Sequence, residues 1–116
     1  MANYTTGTSL DDVFHALADP TRRAVLRRLG SGPASVKELG RPFEMALPSF
    51  MKHIAVLEES GLIASRKVGR VRTCQIRPKK LAAAELWLAT QRAMWESRTD
   101  RLVEYVEGQM EKEHPQ

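Results

Sequence analysis

The chain has 116 residues, 42% of them hydrophobic, one cysteine and a formal charge of +4, a size that fits one domain burying roughly two thirds of its unfolded surface. The lone Cys74 excludes a disulfide framework and any CxxC-type zinc or iron–sulfur site. Apolar runs such as Leu86-Trp87-Leu88-Ala89 are too short to span a membrane, and no basic stretch followed by an apolar one opens the chain, so a reduced, cytoplasmic protein is expected.

The charge is unevenly placed. Residues 47–80 carry eight cations (Lys52, Arg66, Lys67, Arg70, Arg72, Arg77, Lys79, Lys80) against Glu58 and Glu59, a net of +6, whereas residues 1–46 net +1 and 81–116 net −3. A basic middle between a near-neutral and an acidic end is the electrostatic footprint of a nucleic-acid contact surface.

In chain order, residues 1–8 are expected to be a flexible tail. Ser9 offers an N-cap to a first helix whose apolar residues Leu10, Val13, Phe14 and Leu17 form one stripe, with Asp11 and Asp12 complementing the helix dipole. Asp19-Pro20 caps and opens a second helix, buried through Ala24, Val25, Leu26 and Leu29 and broken at Gly30-Ser31-Gly32-Pro33. Arg22 and Arg23, just past that cap, are expected to pair with nearby acids, with phosphate contact as the alternative. Ser35-Val36-Lys37-Glu38 is a capping box opening a short third helix. A fourth helix runs from about Leu47 to Ser60, stopped by Gly61. Its spacing places Leu47, Phe50, Met51, Ile54 and Leu57 on a buried face, and turns Ser49, Lys52, His53, Val56, Glu59 and Ser60 outward. Two short helices joined by a tight turn make a helix-turn-helix.

Two β-capable runs, Leu62–Val68 and Val71–Ile76, flank Gly69-Arg70 and read as a hairpin with Arg66, Lys67, Arg70 and Arg72 at its tip. Cys74 shares strand parity with Ile76 and is expected to face the core as a small hydrophobe. The fold class is therefore mainly α with a small β-hairpin: a winged helix-turn-helix over 9–78. From Lys79 to about Glu113 follows one long helix or two stacked ones. Leu81, Leu88, Trp95 and Leu102 recur every seven residues there, widened by Trp87, Met94, Val106 and Met110. A stripe of that width, on a helix of roughly 45 Å, points to packing against a second copy, so 79–111 is assigned to dimerisation and 112–116 to a tail.

The blocks Phe14-His15-Ala16-Leu17-Ala18-Asp19-Pro20-Thr21-Arg22-Arg23, Leu47-Pro48-Ser49-Phe50-Met51-Lys52-His53-Ile54 and Val56-Leu57-Glu58-Glu59-Ser60-Gly61-Leu62-Ile63, in that order with Gly69-Arg70 after them, resemble the ArsR family of bacterial winged-helix repressors. The resemblance covers about Leu10 to Leu102. The Pro-Ser-Phe-Met-Lys-His form and the Trp-rich C-terminal helix resemble its metal-independent branch. It implies a homodimeric repressor of a dyad-symmetric operator, with the fourth helix in the major groove and the wing along the backbone or minor groove. Ala46 stands where relatives often carry a serine cap, and Ala55 where they often carry a basic residue.

Ser49, Lys52 and His53, with Arg66, Lys67, Arg70 and Arg72, are thus the candidate DNA contacts, Lys and Arg for phosphate and the others for base edges. Phe14, Leu88, Trp95, Leu102 and Val106 are the candidate dimer interface. No metal site or cofactor is expected. His53 has no histidine at i+4, His15 and His114 lie on other elements, and Val36–Gly40 lacks the thiols of the sensor branches, as Arg92, Glu96 and Asp100 lack a neighbouring histidine. The chain has no phosphate loop and no nucleophile–base set, so it is not read as an enzyme. The expected partners are double-stranded DNA and a second copy of the chain, not a membrane; no motif identifies a small-molecule inducer. The alternative is a winged-helix protein-interaction module without specific DNA binding. The basic wing favours DNA, because protein-docking surfaces are depleted in lysine.

Overall fold

The computed structural model describes residues 10–113. The expected Ser9 cap and the tail 1–8 lie outside those residues, as do 114–116. The element order is α1 (Leu10–Leu17), α2 (Pro20–Leu29), β1 (Ala34–Ser35), α3 (Val36–Gly40), α4 (Leu47–Glu59), β2 (Ile63–Val68), β3 (Val71–Ile76) and α5 (Pro78–Glu113). It is the mainly helical winged helix-turn-helix that the periodicities indicate.

Local chemistry sets the helix starts. Asp19, in extended conformation, accepts the Arg22 amide while Pro20 occupies the first turn of α2. At α3 the capping box forms: Ser35 Oγ accepts from the Glu38 amide at 3.1 Å, and Glu38 Oε1 accepts from the Ser35 amide at 3.2 Å. Ser35 also belongs to a strand absent from the sequence reading. Ala34 and Ser35 pair antiparallel with Cys74 and Thr73, giving a three-stranded sheet of order β1-β3-β2. Two residues are too few to show a period of two.

The core lies between the helices and this sheet. Val13 and Ala16 of α1, Val25 and Leu29 of α2, Val36 and Leu39 of α3, and Phe50, Ile54 and Leu57 of α4 are all buried. Leu62, Ile63 and Cys74 close the sheet side, and Ala84 of α5 joins them. Cys74 is fully buried. Desolvation, and after it the charge of Glu58, raises its thiol pKa against a smaller opposing pull from Arg72, so a reactive thiolate is disfavoured.

The segment from Lys79 is a single helix. At 36 residues, α5 is about 54 Å long. The chain divides into two compact units between Ala84 and Glu85. The first turns of α5 belong to the first unit, where Leu81 packs against the core, and the remainder makes the second.

Candidate nucleic-acid interface

The fourth helix is held by one face. Phe50 is 2% exposed and stacks on Phe43 with ring centroids 5.7 Å apart. The approach of α3 is close: a Cβ on Gly40 would lie 3.2 Å from the Phe50 ring. Ser49 and Lys52 are exposed on the other side of the helix. The N-terminus of α4 has no side-chain cap, because Ala46 stands at that position.

Three residues depart from the expected faces. Leu47, assigned to the core stripe, is 64% exposed. It occupies the first turn, where side chains point back beyond the helix end, and it lines a surface cleft instead. Ser60, assigned outward, is buried, because the helix has ended and its hydroxyl donates to the Leu57 carbonyl at 2.8 Å. Val56, also assigned outward, is half-buried against the core.

His53 is anchored from below. The buried Arg22 does not take the ion-paired role expected of it. Its Nε donates to the Ala16 carbonyl at 2.9 Å and its Nη2 to the His15 carbonyl at 2.9 Å, filling acceptors that the end of α1 leaves free. Its Nη1 lies 3.1 Å from His53 Nδ1. Arg23 likewise donates to the Leu17 carbonyl at 2.8 Å. Asp19 Oδ2 stands 3.8 Å from His53 Nδ1. Burial alone would raise the Asp19 carboxyl. The Arg22 amide, the charges of His53 and Arg22, and the Thr21 amide outweigh that effect and hold it below its ordinary value. The link of Arg22 and Asp19 to His53 was not legible in the sequence, since α4 meets the start of α2 only when the helices cross.

The wing is a hairpin turned by Gly69-Arg70, and Gly69 takes φ +63°, the left-handed value such turns need. Its register sets Val68 opposite Val71 and Lys67 opposite Arg72. Arg66, Lys67, Arg70 and Arg72 are all exposed. Arg72 is braced toward α4. Its Nε donates to Ser65 Oγ at 3.0 Å, and that hydroxyl donates to Glu58 Oε1 at 2.8 Å. Arg72 Nη2 lies 3.9 Å from Glu58 Oε2. Sequence reading missed this link, although Ser65 and Arg72 are diagonal neighbours across the ladder.

Between α3, the start of α4 and the wing lies an open cleft of about 750 Å³, floored by Leu47, Phe50 and Met51 and bordered by Lys37, Arg41, Lys67, Arg70 and Arg72. Of the candidate contacts, Lys67, Arg70 and Arg72 border this cleft, whereas Ser49, Lys52, His53 and Arg66 do not line it.

On the distal α5, Leu88, Trp95, Leu102 and Val106 are between 47% and 62% exposed. Phe14 is half-buried against the core.

Residues 17–66, spanning α2 to the first strand of the wing, match a helix-turn-helix domain family. The chain is 41% identical over 75 residues to the HTH-type transcriptional regulator Rv2034 of Mycobacterium tuberculosis, a match covering 65% of this chain and 70% of that protein. It is 30% identical over 61 residues to the transcriptional repressor SdpR of Bacillus subtilis, covering 53% of this chain and 68% of the relative. The crystal structure of an ArsR family transcriptional regulator matches at 62% identity and TM-score 0.73, covering 75% of this chain and 96% of the other. The chain belongs to the ArsR family of winged helix-turn-helix, DNA-binding transcriptional regulators.

Proposed function

We propose that the protein is a repressor of the metal-independent branch, binding a dyad-symmetric operator as a homodimer. In this reading Ser49, Lys52 and His53 of α4 enter the major groove, and Arg66, Lys67, Arg70 and Arg72 of the wing take phosphate oxygens. The observation that carries it is the exposure of Ser49 and Lys52 on α4 together with the four exposed cations of the wing, which Arg72 ties to α4 through Ser65 and Glu58. Lys37, Arg41, Lys67, Arg70 and Arg72 extend the cationic surface along a cleft that α4 lines with Leu47, Phe50 and Met51. The repressor sense is supported by the name of the Bacillus subtilis relative. The metal-independent branch is supported by Val36-Lys37-Glu38-Leu39-Gly40 and by Arg92, Glu96 and Asp100, which stand where the sensor branches carry thiols or histidines. Dimerisation is supported by the exposed Leu88, Trp95, Leu102 and Val106 on α5. The half-buried Phe14 would contribute its remaining surface to that interface.

The test is duplex DNA enriched by the protein from a random pool, with affinity measured against salt. Arg70→Ala is expected to weaken binding on every duplex and to flatten the salt dependence by roughly one unit of slope. Ser49→Ala is expected to change discrimination between duplexes, by about 1–3 kcal/mol for a lost base contact. An unchanged slope, in Arg70→Ala and in the fourfold wing variant alike, would remove the wing from the interface. A pool that yields no enriched sequence would leave the protein-interaction reading in its place.

A further inference from the structure

We infer that Arg22 locks His53 in its Nε2–H tautomer, making it a hydrogen-bond donor aimed at an acceptor on DNA. This rests on the placement of α4 against DNA proposed above. A guanidinium can only donate, so the 3.1 Å contact between Arg22 Nη1 and His53 Nδ1 requires Nδ1 to be the acceptor. In the neutral ring the proton then sits on Nε2. The Asp19 carboxylate does not reverse this assignment, since its 3.8 Å separation from Nδ1 is beyond hydrogen-bond range. Arg22 is itself held, with its other two donors on the Ala16 and His15 carbonyls, so the lock is fixed to the frame of α1. Among the described residues the hydrogen bond of the His53 ring is the one at Nδ1, and none uses Nε2. Among the described residues no buried side-chain nitrogen lacks a partner, so Nε2 reaches solvent. An imidazole N–H at that position fits a phosphate oxygen, a purine N7, guanine O6 or thymine O4, and rejects the amino groups of cytosine and adenine. Arg22 is a positioning residue and never touches the nucleic acid.

Two substitutions separate the two nitrogens. In His53→Asn the side-chain oxygen can stand where Nδ1 was and still accept from Arg22, while the outer donor is lost. In His53→Gln the amide nitrogen can stand near Nε2, while the acceptor for Arg22 is lost. With duplex enriched from a random pool by the wild-type protein, His53→Asn is expected to melt close to wild type and bind about fivefold to tenfold more weakly, the size of one hydrogen bond. His53→Gln is expected to melt lower and bind within about threefold of wild type. Long-range 1H–15N spectra of the free full-length protein should show Nδ1 unprotonated and Nε2 protonated in wild type, and a mixture of tautomers in Arg22→Met, which has no donor to offer Nδ1. A loss equal on enriched and unrelated duplex assigns the acceptor to phosphate, and a loss confined to the enriched duplex assigns it to a base edge. The inference is overturned by an Nδ1–H tautomer in the wild type, or by His53→Asn binding as well as His53→Gln. Failure of the wild-type protein to bind any duplex would overturn the DNA reading itself, a result distinct from equal binding by the two variants.

Discussion

Asp19 carries two separable contributions, a cap and a charge. Asp19→Asn keeps an oxygen for the Arg22 amide but removes the charge, whereas Asp19→Ala removes both and is expected to cost about 1 kcal/mol at neutral pH. The carboxyl titrates lower in the folded protein than in the unfolded chain, whose ordinary value is 3.8. Its charge therefore stabilises the fold above that value, and the contribution is lost as pH falls through the depressed one. The melting-temperature gap between wild type and Asp19→Asn should be open at neutral pH and close well below 3.8. A gap constant with pH would show that the charge adds nothing to the cap. The cap is legible because Asp-Pro is a local signal read within four residues. The guanidinium of Arg22 is not, because its three acceptors belong to α1 and α4 and meet it only after the helices cross.

The fourth helix is firmly held through Phe50, Ile54 and Leu57 and weakly at its start. With Ala46 at the cap and Pro48 lacking an N–H, the Ser49 amide is the one that a cap in the third-residue geometry would satisfy. Ala46→Ser should supply that acceptor and raise stability by about 1 kcal/mol, read as a higher midpoint in urea with unchanged slope. An unmoved midpoint would mean that the first turn already finds its partner in water. The stripe of this helix follows from 100° spacing, and so does its burial in the middle. The spacing fails at both ends for physical reasons. Leu47 has no element above it to cover it, and Ser60 has already left the helical path when it meets the core. The strand Ala34–Ser35 is hidden for another reason: its residues double as the cap of α3, and the capping signal masks the pairing with β3.

For the molecule as a whole, the proposed operator binding requires two recognition helices about one DNA turn apart, and the proposed dimer makes that depend on the distal α5. Its seven-residue recurrence was readable, as was the lack of any proline within it. Whether it was one helix or two was not, because a helix with so many exposed apolar side chains gives no internal stop. Trp95 is 59% exposed, so Trp95→Asp is expected to leave the fold intact. It should shift the protein toward monomer in sedimentation experiments and abolish cooperative operator binding, with weak nonspecific affinity retained. A folded variant that still sediments as a dimer would place the interface elsewhere, with α1 and Phe14 the next surface to test.

The pairing of Lys67 with Arg72 across the wing has a consequence for kinetics. Like charges directly opposite one another weaken a hairpin, and this pair sits one step from a two-residue turn whose flanking valines are both more than half exposed. The end of the wing, though paired to its last rung, is thus weakened by its own charge. Amide exchange at Val68 and Val71 should slow on adding salt, and slow further on adding duplex, while exchange at Cys74 stays unchanged. Under the proposed wing–phosphate contact, neutralising the two cations tightens rungs that the free hairpin holds only weakly.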